Sequence, residues 1–421
     1  MKQSIGLVIL QIVGVSLGLV SVFWIAGSLP PKIYAIVGIY NVISTFIVVF
    51  SNTGFETYAI RNVLAWQQTG ENDKVKLIVT QAIAYRTILA SFILLPIIGY
   101  AAYISAYKFD DQYFGLFILM GLLSIAKAIN DATVLLLKAF NKYFAAALVT
   151  YSVNVFGKIL ALILFFKYGF NVYIITIIIL PIIVTVPVLY MMRKWINIKG
   201  VFYKKNIIEG FRQSKVFALS AYISYVYNFL DQLIISVFMS PEVLGSYTVA
   251  KNLLNIGKTF IENIFDPMMQ NLVRFKNNIA TLHLKLKKII KVRNILLILS
   301  IMFLPFVILF VNEGLSLIRL GHYTYLNYFV IFIYLSQVVH IGLKVKSNYI
   351  SLMFPSNFYL KLAIINAMFS LLFFILLIVI NIKLVFAYIF FTNILILFYS
   401  NYLFKKTKKP NKSTLPYEIS N

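Results

Sequence analysis

The sequence has no cysteine, only three histidines, and 13 acidic residues against 38 lysines and arginines. Without cysteine the chain has no disulfide, no thiol nucleophile and no thiolate metal site. His283, His322 and His340 are too scattered to indicate a metal centre, so we predict no cofactor. Charged residues make up 12% of the chain, against about 25% in a soluble domain, and 61% of it is hydrophobic. This balance excludes a globular protein with a single anchor.

Most of the sequence consists of long apolar runs. A helix needs about 20 residues to cross a hydrocarbon core of ~30 Å, and about twelve segments are long enough. We therefore predict an all-α, polytopic membrane protein with two six-helix bundles around a central cationic cavity. The predicted spans are 5–27, 33–52, 79–104, 113–137, 146–166, 171–192, 214–238, 245–268, 293–311, 323–347, 362–382 and 384–404. The predicted domains are an N-terminal bundle (1–200), a basic cytoplasmic linker (201–213), a C-terminal bundle (214–404) and a basic cytoplasmic tail (405–421).

The basic residues fall mostly in alternate gaps between these runs. The opposite gaps hold only Lys32, Lys108, Lys167, Arg319 and Lys383. Basic loops stay on the cytoplasmic side, so we predict a multi-pass protein of the cytoplasmic membrane with both termini in the cytoplasm. The same distribution accounts for the net charge of +25 without a nucleic-acid partner, for which the chain offers no separate soluble domain.

Segment 279–291 carries apolar residues on one helical face and four lysines on the other. Leu282 and Leu286 belong to the apolar face, and Lys287 and Lys291 to the basic one. This pattern predicts an amphipathic helix that lies on the inner surface of the membrane.

Charged residues inside the predicted spans are the candidate functional groups. A charge in hydrocarbon costs several kcal/mol, so each must face protein or water. Span 245–268 has the sharpest pattern, with five polar residues at helical spacing on one face: Lys251, Asn255, Lys258, Glu262 and Asp266. Basic groups outnumber acidic ones at depth, which predicts a cationic cavity for an anionic group such as a pyrophosphate. The predicted substrate-binding residues are Arg86, Lys127, Lys158, Lys251, Asn255 and Lys258.

The acidic residues in or beside the spans leave two possibilities open. Asp131, Asp231, Glu262, Asp266 and Glu56 either couple transport to H⁺ or Na⁺ or neutralise nearby lysines. Lys127 with Asp131, and Lys258 with Glu262, have the spacing of helical ion pairs. Asp231 and Lys251 lie at similar depth on adjacent predicted helices and form a further candidate pair.

Two local patterns resemble a known family over nearly the whole chain. The first comprises Leu29-Pro30-Pro31, Tyr34-Ala35, Ser51-Asn52-Thr53-Gly54-Phe55 and Ile60-Arg61. The second comprises Asp231-Gln232, Val243-Leu244-Gly245-Ser246-Tyr247 and Ala250. Together with the twelve predicted spans and the basic gap between the two halves (193–213), they resemble the Wzx-type flippases of O-antigen or capsule repeat units. These belong to the multidrug/oligosaccharidyl-lipid/polysaccharide exporter superfamily.

The resemblance implies a transporter rather than an enzyme. Its implied substrate is an undecaprenyl-pyrophosphate-linked oligosaccharide, moved from the inner to the outer leaflet of a bacterial inner membrane. The implied mechanism is alternating access coupled to an ion gradient. The expected partners are this lipid-linked substrate, membrane lipids, H⁺ or Na⁺, and polymerase and chain-length proteins of the same pathway.

Three other functions stay open from the sequence. A drug or cation antiporter of the same fold would favour a cavity of net negative charge. A polysaccharide polymerase or transferase would need a larger external loop or an acid/His pair at a membrane face. A flippase for a peptidoglycan precursor resembles this fold but usually has two more spans.

Overall fold

The computed structural model describes residues 2–140, 142–197, 199, 201–273, 279–353 and 356–407, and within these ranges the chain is helical with no strand. The described residues form fourteen α-helices: α1 Lys2–Ser28, α2 Pro31–Phe50, α3 Phe55–Gln68, α4 Asn72–Lys108, α5 Phe114–Ala139, α6 Tyr143–Tyr151, α7 Gly157–Tyr168, α8 Phe170–Met192, α9 Lys204–Phe238, α10 Pro241–Val273, α11 Ile279–Leu317, α12 Leu326–Met353, α13 Ser356–Ile380 and α14 Ala387–Thr407.

These helices confirm the predicted all-α, polytopic membrane class. Among the described residues, seven helical segments are long and apolar enough to cross a membrane: Pro31–Phe50, Asn72–Lys108, Asp111–Ala139, Phe170–Trp195, Thr281–Leu317, Leu326–Tyr349 and Leu360–Ile380. Each overlaps one predicted span. The other five predicted spans also fall on helices, namely α1, α6 with α7, α9, α10 and α14.

Both ends of α2 have local causes in the sequence. Pro31 is the first residue of α2, where its missing N–H costs no hydrogen bond. After Ser51 the chain turns at Gly54, whose φ of 78° is a conformation that glycine adopts without strain. The Asn52 side chain accepts a hydrogen bond from the Gly54 N–H at 2.8 Å and stabilises the turn. This turn places Glu56 in the first turn of α3.

A π-helical turn, Ser152–Phe156, joins α6 to α7 inside predicted span 146–166. Such turns insert one extra residue and shift the helical face that follows them. The next residue, Gly157, packs closely on α8, where an added Cβ would lie 1.6 Å from Leu180 Cδ2. The turn and this contact fix the direction of Lys158.

The chain divides into two compact units, Met1–Thr248 (unit 1) and Val249–Asn421 (unit 2). One core of unit 1 is built around Phe55, Ala82 and Leu136. A core of unit 2 is built around Phe265 and Ile341. The predicted domain boundaries at 200 and 213 stay predictions.

The prediction of a separate surface helix at 279–291 is wrong. These residues are the start of α11, which runs without a break to Leu317. Leu282 and Leu286 are buried in the core of unit 2 with Phe265 and Ile341. The apolar face therefore packs against α10 and α12 instead of lipid.

Candidate functional site

The first predicted site residue, Lys127, lies on α5 and faces α2. Its Nζ donates a hydrogen bond to Ser44 Oγ at 3.0 Å. The same ammonium lies 5.4 Å from the centroid of the Tyr40 ring, within reach of a cation–π interaction. Tyr40 and Ser44 are one helical turn apart on α2, so both present their side chains to Lys127. No carboxylate forms an ion pair with Lys127 among the described residues.

Lys158, the second predicted residue, lies at the start of α7 and is half-buried. Its charge interacts with that of Lys127, so the two ammonium groups are electrostatic neighbours. No hydrogen bond or ion pair engages Lys158 within the described ranges. Lys127 has one neutral hydrogen-bond partner and Lys158 has none among the described residues, and a charge inside a membrane is unfavourable when nothing compensates it. The geometry therefore forms a candidate anion site on α2, α5 and α7, which we call the α2/α5/α7 site.

Asp131 lies one helical turn after Lys127 and is half-buried. Arg86, Lys127 and Glu56 act on it electrostatically. Yet Asp131 forms no hydrogen bond or ion pair with any part of the chain that the structure describes. Lys127 and Asp131 act on one another electrostatically without a hydrogen bond or ion pair between them among the described residues, and neutralisation of one by the other stays a prediction. Asp131 is the carboxylate of the α2/α5/α7 site.

Arg86, also predicted for the cavity, is held in a buried ion pair. Its Nη1 lies 2.7 Å from Glu56 Oε1, and both side chains are buried. Arg86 Nη2 donates a second hydrogen bond to the carbonyl of Val48 at 3.0 Å. The guanidinium thus ties the last turn of α2 to α3 and α4 across the turn at Gly54. Glu56 and Arg86 therefore form an ion pair that joins helices.

Asp231, on α9, is a buried hydrogen-bond acceptor within unit 1. The Tyr247 hydroxyl donates to Asp231 Oδ2, and the backbone N–H of Gln232 donates to Oδ1 at 2.7 Å. Gln232 Nε2 in turn donates to Thr248 Oγ1 at 3.2 Å. Asp231 therefore belongs to a polar cluster that joins α9 to the first turns of α10. Lys251 is buried near the start of unit 2, and its candidate pairing with Asp231 stays a prediction.

In unit 2, polar groups of α10 and α12 interact at three levels, two of them through direct contacts. Gln337 Nε2 donates to the carbonyl of Leu254 at 2.9 Å. One turn on, the charge of Lys258 acts on His340. A further turn on, Lys344 Nζ lies 3.4 Å from Glu262 Oε1. We call these six residues the α10/α12 ladder. Lys344 is not among the predicted site residues, because it lies near the end of predicted span 323–347, where lysines commonly face water.

Two predicted residues of α10 lie outside the ladder. The side chain of Asn255 is exposed, and its carbonyl accepts a hydrogen bond from the Thr259 hydroxyl at 2.8 Å. The side chain of Asp266 lies outside the described side chains, so its role stays a prediction. Among the described residues, no group of His, Asp and Glu side chains could hold a metal ion by itself.

The chain is similar in fold to solved transporters of the MOP superfamily. One is a multidrug resistance MATE family transporter in an inward-facing conformation, with a TM-score of 0.67 and 13% identity over 94% of this chain and 96% of that chain. The same description in an outward-facing conformation gives a TM-score of 0.63 and 14% identity over 97% and 95%. A third is a MOP superfamily transporter from Pyrococcus furiosus, described by the reverse polarity of its binding pocket, with a TM-score of 0.54 and 12% identity over 97% of both chains.

Identities this low establish the fold alone, and it is the transporter fold that the sequence resemblance implied. No curated protein matches the chain. The family comparison gives a match along most of the length: the profile of the polysaccharide biosynthesis protein family covers residues 1–273. The chain is thus a multi-pass membrane protein with a transporter fold, and it belongs to the polysaccharide biosynthesis protein family.

Proposed function

We propose that the protein flips undecaprenyl-pyrophosphate-linked oligosaccharides, such as O-antigen repeat units of lipopolysaccharide, across a bacterial inner membrane. The units pass from the cytoplasmic to the outer leaflet by alternating access, coupled to an ion gradient. The observation that carries the proposal is the pair Lys127 and Lys158, two ammonium groups that interact electrostatically and have no ion pair with a carboxylate among the described residues.

The chemistry of this pair fits a diphosphate better than a neutral or cationic substrate. Hydrogen bonds from ammonium groups to phosphate oxygens are short and about twice as strong as neutral ones. A diphosphate has several oxygens and so engages both lysines at once. The sugar and lipid parts need no charge recognition, so the diphosphate is the part of the substrate that these lysines would bind.

Export of cationic drugs is the weaker alternative. A cationic drug needs a carboxylate that is not outweighed by basic groups, and Asp131 lies among Lys127 and Arg86. The fold shared with multidrug transporters does not favour either substrate, because one fold serves many functions. We place the pathway's polymerase and chain-length proteins, which would receive the flipped units, among the protein partners.

The test is made in the source bacterium, with the gene deleted and then restored. Surface polysaccharide and the leaflet position of its lipid-linked repeat unit are both measured. The proposal expects loss of the surface glycan with units trapped in the cytoplasmic leaflet, and recovery on restoring the gene. Units that reach the outer leaflet but stay unpolymerised would indicate that the protein is a polymerase. An unchanged surface glycan would favour the drug or cation antiporter.

A matched pair of variants ties the result to the site. Lys127→Ala should fail to restore export, whereas Lys32→Ala should restore it fully. Lys32 is an exposed lysine at the start of the same helix that carries Tyr40 and Ser44. Equal amounts of folded protein in the membrane are required for the comparison.

A further inference from the structure

Helix α11 carries exposed lysines at one end of an exposed apolar face. Its apolar window is 6% buried, the lowest fraction among the seven candidate spans of the described chain, so most of this helix lies at the surface of unit 2. The buried side chains of its first turns are Leu282, Leu286 and Ile289. The opposite face of α11 is therefore open to the surrounding membrane.

The exposed lysines and the exposed apolar side chains share one side of the helix. Lys291, Ile295, Ile298 and Met302 follow one another at spacings of three or four residues, which places them on the same face. Lys288 lies three residues before Lys291 and extends the row by one turn. We call this row of exposed residues the α11 lipid face: Lys287, Lys288, Lys291, Ile295, Ile298, Leu299 and Met302.

The length of this row matches that of a phospholipid. At ~1.5 Å per residue, Met302 lies about 16 Å from Lys291 along the helix, close to the ~15 Å thickness of one hydrocarbon leaflet. An acyl chain that lies along the apolar part of the row therefore has its headgroup phosphate beside Lys288 and Lys291.

The charge of the row favours one class of lipid. Among the described residues, no carboxylate forms an ion pair with Lys287, Lys288 or Lys291. The sequence has no acidic residue between Asp266 and Glu313, so this end of α11 has no carboxylate for the ammonium group of a zwitterionic headgroup. Ammonium groups donate strong charge-assisted hydrogen bonds to phosphate oxygens, and each lysine near an anionic lipid surface strengthens binding.

We propose that the α11 lipid face binds an anionic phospholipid, with the phosphate on Lys288 and Lys291 and one acyl chain along the apolar part of the row. Lysines that only determine the topology of the chain need not share a helical face with exposed apolar residues. That shared face is what indicates a lipid. The site lies in unit 2, whereas the α2/α5/α7 site lies in unit 1, and its occupant does not depend on the proposed function.

The test uses the absence of cysteine from the chain. Leu299→Cys gives the full-length protein one thiol, which carries a fluorophore on the apolar part of the row. The labelled chain is placed in phosphatidylethanolamine vesicles that contain a fixed fraction of brominated phosphatidylglycerol or brominated phosphatidylethanolamine. Quenching by bromine measures the relative affinity of each lipid for this face. We expect a preference of about 10-fold or more for phosphatidylglycerol, which should decrease at high salt.

Matched variants of the labelled chain locate this preference. Lys287→Gln with Lys288→Gln and Lys291→Gln should remove most of it, whereas arginine at the same three positions should retain it, because the charge is kept. Three exposed lysines of unit 1 provide a control with the same change in net charge and should leave the preference unchanged: Lys142→Gln, Lys199→Gln and Lys205→Gln.

Three results would overturn the inference. An unchanged preference in the α11 glutamine variant would mean that these lysines serve the membrane topology alone. An equal loss in the control variant would assign the preference to the net charge of the chain. Equal quenching by the two lipids would leave the basic row to another occupant, such as an acidic protein. If the triple glutamine variant does not insert, Lys288→Gln with Lys291→Gln gives the same comparison, because it keeps Lys287.

Discussion

The two units differ in whether the charged side chains inside their helices have partners within the described chain. In unit 1 the α2/α5/α7 site leaves Lys158 and Asp131 without a direct partner in the described chain, and Lys127 with a single neutral one. In unit 2 the α10/α12 ladder pairs Glu262 with Lys344 and joins Gln337 to the backbone of the facing helix. Polar residues at helical spacing join two helices in unit 2, whereas the polar residues of the α2/α5/α7 site in unit 1 form the candidate binding site.

The difference shows how intramembrane charges are to be sorted. Every such charge needs compensation, because hydrocarbon does not solvate it. Where the compensation comes from the chain, as for Arg86 with Glu56, the group holds helices together. Where the described residues do not supply it, as for Lys158, we propose that a ligand does. Substitutions of the two kinds should therefore differ in what they lose, stability or transport.

The largest expected effect is on stability, at the buried pair of unit 1. Arg86→Ala leaves the Glu56 carboxylate buried and without its cation, which should lower the free energy of unfolding by about 3–5 kcal/mol. The measurement is SDS-induced unfolding of the purified chain, followed by far-UV circular dichroism. We expect little folded protein to accumulate in the membrane.

The control replaces both partners. Glu56 Oε2 and Arg86 Nε have no hydrogen-bond partner among the described residues, so the pair is incompletely satisfied. An apolar pair of similar volume, Glu56→Leu with Arg86→Met, should recover most of the lost stability. If it recovers neither stability nor transport, the pair has a further role, and the division between structural and functional charges would not hold here.

The next largest effect is expected on transport, at Lys127 and Lys158. The double variant Lys127→Ala with Lys158→Ala removes two charge-assisted contacts to phosphate, each worth about 1.5–3 kcal/mol. Flipping should fall by about 100-fold or more while the unfolding transition stays close to that of the unmodified chain. Full activity of this variant would rule out the anion site. Lys127→Arg should retain more activity than Lys127→Ala, since it keeps the charge.

The helices of this comparison could be predicted from the sequence, because apolar length and loop charge determine where a chain crosses a membrane. Lys127 and Lys158 could also be singled out, since a lysine inside a span is rare. The side chains that contact these two lysines could not be predicted. The i, i+4 spacing of Lys127 and Asp131 permits an ion pair, but the close approach of α2 supplies Ser44 instead.

The errors came from contacts between helices distant in sequence. Lys344 lies near the end of a span, where lysines commonly face water, and only the packing of α12 on α10 brings it to Glu262. The basic segment before Lys291 has the pattern of a surface helix, yet the core of unit 2 covers its apolar face. Periodicity identifies an apolar face without identifying what covers it.

A smaller effect is expected at Gly157, where the packing of α7 on α8 orients Lys158. Gly157 precedes Lys158, and an added Cβ there would lie 1.6 Å from Leu180 Cδ2. Gly157→Ala forces α7 away from α8, which should cost about 1–3 kcal/mol of unfolding free energy and reduce flipping. The measurement pairs SDS unfolding with the flipping assay. Gly99→Ala on α4 is the control, because no atom lies within 4 Å of its added Cβ. Unchanged flipping in Gly157→Ala would show that Lys158 tolerates a shift of its helix.

The smallest effect is expected in the ladder of unit 2. The Glu262 side chain is 44% exposed, so its pair with Lys344 is partly solvated and contributes about 0–1 kcal/mol. Glu262→Gln keeps the shape and a hydrogen-bonding group, so both stability and flipping should stay near those of the unmodified chain. Double-variant cycles with Lys344→Met would measure the coupling between the two side chains. A loss of flipping with stability retained would place Glu262 among the functional charges, because a group that only joins α10 to α12 cannot affect transport without weakening the fold.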